Sequence, residues 1–119
     1  MIIHIPINRG FSFWPFIFMP SRLKETPAYK AYLMHEQVHH RRQGIGVVWW
    51  VLKWFFNRKF RHDEELLAFE VQLNQLKQDK VKYLKHKMTN GIAYGYRKAF
   101  TLEEATALVE KYYTMDNLI

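Results

Sequence analysis

The chain has no cysteine. No disulfide can form, and any metal site must draw on histidine, aspartate or glutamate. It also lacks a long apolar run. Its most hydrophobic stretch, Ile45 to Phe56, is about a dozen residues and contains Lys53, whereas a membrane span needs about 20. That stretch reads as a buried helix, with peripheral membrane contact through 45–56 as the alternative. The residues from Met1 to Pro6 have no basic start followed by an apolar core, so they do not read as a signal peptide. A cytoplasmic location is the expectation. Repeats and low-complexity tracts are absent too, which excludes solenoids and disordered arrays.

What is present is one domain's worth of chain, 119 residues of which 49% are hydrophobic. The formal net charge is +7. Two denser basic knots stand out, Arg41-Arg42 and the run from Asn57 to Arg61. Such a balance favours anionic partners. A nucleic-acid-binding module would use Arg41, Arg42, Arg58, Lys59 and Arg61 on phosphates, with aromatics stacking on bases. No recognised nucleic-acid motif supports it.

The first twenty residues read as extended. Ile3, Ile5 and Ile7 alternate with His4, Pro6 and Asn8, which predicts a strand. Asn8-Arg9-Gly10 reads as a turn, and Phe11 to Met19 as a second strand that Pro15 makes an edge strand or an irregular one. Thr26 is the expected N-cap of a first helix, with Pro27 at its first position, ending near Gly44 or Gly46. Its buried face should hold Ala28, Ala31, His35 and Val38. A second helix is expected from Val47 to Phe55 or Phe56. A third should run from His62-Asp63 to about Lys85, with Leu66, Phe69, Leu73 and Leu76 inward and Gln72, Gln75 and Lys77 towards water. Asn90-Gly91 reads as a break, and Tyr94-Gly95-Tyr96 as a loop or short extended piece. Thr101 with Glu104 is a capping box that opens a last helix running to about Tyr113. The expected class is α+β, mainly helical, with about four helices and a small N-terminal sheet.

The chemistry lies in His35-Glu36-Gln37-Val38-His39. Residues four apart on a helix share a face, so both histidines can point at one ion. Glu36 beside them can reach a water on that ion. This H-E-x-x-H arrangement binds zinc through the histidines and uses the glutamate as general base. A catalytic zinc takes a third protein ligand, and the acidic stretch Asp63 to Glu70 offers Glu64, Glu65 and Glu70. His40 reads as surface, and His4, His62 and His86 as structural or solvated.

From His35 to Glu70 the chain resembles the gluzincin metallopeptidases, especially the integral-membrane zinc peptidases of the beta-lactam-sensor (BlaR/MecR) type. The likeness is carried by His35-Glu36-Gln37-Val38-His39, Arg41-Arg42, Trp49 to Asn57, Arg61-His62-Asp63 and Glu65 to Phe69. The resemblance implies a minimal zincin-like domain spanning 1–119, two helices over a small sheet with zinc between them. It implies Glu65 as third ligand and Glu36 as catalytic base. The family's aspartate, which orients a zinc-bound histidine, falls at Phe69, so Glu70, Asp63 or a backbone carbonyl would have to replace it. The implied activity is zinc-dependent hydrolysis of a peptide or protein substrate. Tyr94, Tyr96 and His62 are candidates for the oxyanion donor, and the Phe11–Met19 piece for pairing with a substrate strand. A catalytically inactive zincin scaffold is the remaining alternative.

Overall fold

The computed structural model describes residues 1–81 and 85–112, apart from the side chains of Lys85 and His86. The stop expected near Tyr113 and the side chain of His86 therefore lie outside the described residues. Among the described residues the chain is α+β, with five α-helices and one small N-terminal sheet.

The β-branched start forms strand β1, Ile2–Ile5. It stops there because Pro6 has no N–H to offer a ladder, and the Ile7 N–H turns back to the Ile5 carbonyl at 2.8 Å. Phe11 to Pro20 is a hairpin rather than one irregular strand. Phe11–Phe13 (β2) pairs antiparallel with Phe16–Pro20 (β3), and Trp14-Pro15, joined by a cis peptide bond, makes the connection. Pro15 thus sits in the turn and costs the ladder nothing. β1 pairs parallel with β3, giving the order β1-β3-β2. A side chain at Gly10 would put its Cβ 2.8 Å from the Phe18 carbonyl oxygen, so only glycine lets the strand begin here.

Helix α1 is Tyr29–Gln43. It starts later than expected, because Thr26 bonds its hydroxyl to the Leu23 carbonyl and closes a turn instead of capping the helix. Ala31, His35 and Val38 are buried as the helical spacing predicts. Gly44 ends the helix at φ 53°. Helix α2, Val47–Phe56, follows.

Helix α3, Arg58–Gln78, begins earlier and ends sooner than expected. The early start is a capping effect. Asn57 Oδ1 accepts from the Phe60 N–H at 3.0 Å. Gln72 and Gln75, expected in water, are buried, and Gln75 donates to Asp79 at 3.0 Å.

Asn90-Gly91 does not break the chain. Both lie inside helix α4, Lys85–Gly95, which also takes in Tyr94-Gly95. Glycine inside a helix costs about 1 kcal/mol, and burial of Ile92 and Ala93 against α5 outweighs that. Helix α5, Leu102–Tyr112, opens with the expected box. Thr101 N–H donates to Glu104 and Glu104 N–H donates to the Thr101 hydroxyl.

The main core lies between α3, α4 and α5, around Phe69, Leu73, Leu76, Ile92, Phe100 and Val109. α1 is wedged between that core and the sheet, with Ile17 and Met19 beneath it. This sandwich turns the middle of α1 towards the middle of α3.

Candidate metal centre

Where α1 meets α3, three side chains from positions 30 residues apart converge. His35 Nε2 lies 3.0 Å from Glu65 Oε1, His39 Nε2 lies 2.8 Å from Glu65 Oε2, and the two Nε2 atoms are 3.2 Å apart. All three residues are at most 4% exposed. They are the group among the described residues that could hold a metal ion. A tetrahedral zinc with bonds of about 2.0–2.1 Å sets its ligand atoms about 3.3 Å apart, close to the separations seen. Two imidazole nitrogens aimed at one point, with a carboxylate closing the third corner, is a donor set suited to zinc.

The other acids lie elsewhere. Glu64 is buried but bound to Arg42. Glu70 faces α5, with Lys111 at 3.7 Å. Asp63 is half-exposed between Lys59 and His62. His40 reaches the Pro15 carbonyl, and His4 bonds the Tyr29 hydroxyl at 2.6 Å. Both lie away from the site.

The surroundings are apolar. Phe69 lays its ring edge-on to His35 at 4.5 Å, and Trp50 is tilted against His39 at 5.2 Å. The aspartate implied by the resemblance has no substitute here. Neither His35 Nδ1 nor His39 Nδ1 has a hydrogen-bond partner. Glu70 and Asp63 are turned away, and no backbone carbonyl takes the role. Support comes instead from the carboxylate side, where Trp54 Nε1–H donates to Glu65 Oε2 at 3.0 Å.

Burial alone would raise the Glu65 pKa, but His39 and His35 outweigh it and hold the carboxyl well below its ordinary range. Burial would likewise lower His39, and Glu65 reverses this, so its pKa is raised. Glu36 behaves oppositely. It is 4% exposed, and burial raises its pKa against the opposing pull of His35 and His39.

Glu36 belongs to a cleft of about 320 Å³ beside the triad, which Glu65, His39, Trp54 and Tyr96 also line. Ser12 Oγ–H donates to the Glu36 carbonyl at 2.7 Å and lies 3.4 Å from its carboxylate. Of the three oxyanion candidates, Tyr96 lines the cleft. Tyr94 is exposed, and His62 is engaged by Glu104 and Phe100 away from it. Burial raises the Tyr96 pKa well above 10, so the hydroxyl keeps its proton at neutral pH.

Strand β2 forms one wall of the cleft. Its outward groups are partly taken. Gln43 Nε2 donates to the Ser12 carbonyl at 2.8 Å, and the Trp14 N–H donates to Gln43 Oε1 at 3.0 Å. The Gly10 N–H donates to the Tyr32 hydroxyl at 3.0 Å. No individual site role for Ser12, Gln43, Trp50 or Trp54 is read from the sequence, because nothing local in the chain marks contacts made across the fold.

Of the basic knot residues, Arg61 is buried and donates to the Trp54 and Phe55 carbonyls at the end of α2. It is a helix cap and does not offer its charge to a phosphate. Comparison with protein-family models, curated proteins and solved structures finds no match.

Proposed function

We propose that the chain is a zinc-dependent peptidase, with His35, His39 and Glu65 holding the ion and Glu36 as general base. The observation that carries this reading is Glu36. A metal site that only stiffens a fold is closed by four protein ligands. Here three candidate ligands converge beside a cleft that the Glu36 side chain helps to line. Burying that carboxylate is costly, and a role in proton transfer accounts for its being kept there.

Bound zinc would acidify a water and polarise the substrate carbonyl. Glu36 receives the proton of the attacking water on its carboxylate, then delivers it to the leaving amine. A pKa raised by burial moves it towards the range that suits this exchange near neutral pH. The Ser12 hydroxyl holds Glu36 in place from the strand side. Tyr96 lines the cleft with its hydroxyl protonated and bonded to Tyr32, and on giving up that bond it is the candidate donor to the developing oxyanion. A substrate strand lies along β2 on its Gly10–Ser12 side, since Gln43 already holds the groups flanking Phe13.

The test is metal content by elemental analysis, followed by hydrolysis of a peptide library. One zinc per chain, lost in His35→Ala and Glu65→Ala, is the expected result, with Glu36→Gln retaining zinc and losing turnover. A wild-type protein that takes up no zinc even when supplied, or a Glu36→Gln variant with unchanged activity, overturns the reading.

A further inference from the structure

Helix α2 is apolar apart from Lys53, yet only one side is covered. Val47, Trp50 and Trp54 turn inward, towards His39 and Glu65. Val48, Trp49, Leu52 and Phe56 recur at helical spacing on the outer side, and Ile45 extends the patch from the turn before α2, with Ile45 92%, Trp49 65% and Phe56 85% exposed. A helix that is hydrophobic all round is ordinarily buried, so this outer face calls for a partner.

The charge around it is of one sign. From Gln37 to His62, 26 residues, the chain carries six Lys or Arg and no Asp or Glu. Exposed Arg41 and Arg42 precede α2, and exposed Arg58 and Lys59 follow it. Arg97 and Lys98, both exposed, come in from α4's end, with Arg97 5.0 Å from the Phe55 ring and the Lys98 carbonyl bonded by Arg58. Two of these charges are partly answered from α3, Arg42 by Glu64 and Lys59 by Asp63 at 3.8 Å. That leaves Arg41 before the apolar face and a cationic group of Arg58, Arg97 and Lys98 at its far end.

We infer that this face docks on an anionic bilayer surface. Aliphatic side chains and a tryptophan on one helical face, with Lys and Arg at its border, match the composition of helices that lie in the headgroup region. At ten residues α2 spans about 15 Å, half the hydrocarbon thickness, so it lies in the interface and does not cross it. No described helix is long and apolar enough to cross a membrane. The cations flanking the face select negative headgroups. They also disfavour a second copy of the chain, which would bring the same charge to the same edges. Ile45, Val48 and Leu52 offer no flat face for a nucleobase to stack on, so single-stranded nucleic acid fits poorly. Docked this way, α2 is both the membrane contact and a wall of the cleft, and the metal centre sits at the bilayer surface whether or not it hydrolyses peptides.

The test is co-sedimentation of the full chain with vesicles of phosphatidylcholine containing 30% phosphatidylglycerol, beside vesicles of phosphatidylcholine alone. Binding to the anionic vesicles at least tenfold tighter than to neutral ones is expected. The double variant Trp49→Glu, Phe56→Glu should bind at least tenfold more weakly, with zinc content and circular dichroism unchanged because both residues lie outside the cleft and the core. Failure of the wild type to sediment with anionic vesicles overturns the proposal. So does equal binding by the double variant, which would assign the effect to general basicity. A concentration-dependent dimer that the same substitutions abolish would also overturn it, by giving the face to a second copy.

Discussion

In the proposed mechanism Glu36 takes up a proton and passes it on, whereas Tyr96 keeps its own. Burial serves both, raising the carboxyl towards neutrality and the phenol far above it. Under the proposed mechanism, Glu36→Gln should lower kcat by about 10²–10⁴-fold while elemental analysis still finds zinc. Tyr96→Phe removes one hydroxyl and should lower kcat by about 10²–10³-fold with KM nearly unchanged, read from steady-state kinetics on the same peptide. An equal rise in KM would place Tyr96 in substrate binding instead. The histidine pair was legible in the sequence because its partners are one helical turn apart. Glu65 was named only through a family resemblance, since several acids share its stretch, and what separates them is the direction each faces on α3. The bare Nδ1 atoms of both histidines could not be foreseen in detail. That Phe69 cannot orient a histidine was readable, but not that Glu70 and Asp63 point away.

At the scale of elements, local signals lose where a tertiary contact competes. The apolar pattern does not mark a helix end where another contact takes the capping group, as at Thr26, or where the cap lies just outside that pattern, as at Asn57. Asn90-Gly91 is a break by local propensity, but the burial that makes it part of α4 is tertiary. The capping box at α5 was legible because both its partners are local. Thr101→Ala and Asn57→Ala should each destabilise by about 1 kcal/mol, measured by urea denaturation. The Glu104 carboxyl is held below its ordinary 4.5, first by the Thr101 N–H and then by the Thr101 side chain and His62. A lowered folded pKa means stability that is present above about pH 4.5 and lost as pH falls through the folded value. The stability gap between wild type and Glu104→Ala should therefore close in acid, as a pH series of thermal melts would show. On β2, Gln43→Ala should open the groups flanking Phe13. Peptides extended on that side should then be cleaved faster relative to short ones. An unchanged length preference in competition assays would remove Gln43 from the substrate path.

For the molecule as a whole, the proposed metal centre would be a cross-link. Its candidate ligands come from α1 and α3, and without an ion two imidazoles and a carboxylate are left to satisfy one another in an apolar setting. Zinc binding at 100 times Kd contributes about 2.7 kcal/mol, which for a domain of this size should raise Tm by on the order of 10 °C. Calorimetry with zinc and with a chelator checks this, and His35→Ala should show no such difference. The unpartnered Nδ1 atoms point to a site held about 10–100-fold less tightly than one with a full outer shell.

The segment between His39 and Glu65 contains all of α2, so an ion held by these residues would tie down both ends of the stretch that bears Trp49 and Phe56. If zinc steadies that stretch for docking, the two equilibria cannot be independent. Whatever factor zinc adds to lipid affinity, lipid must add to zinc affinity. A loosely held ion would then be retained best at the bilayer and released most readily away from it, making metal occupancy a record of where the protein is.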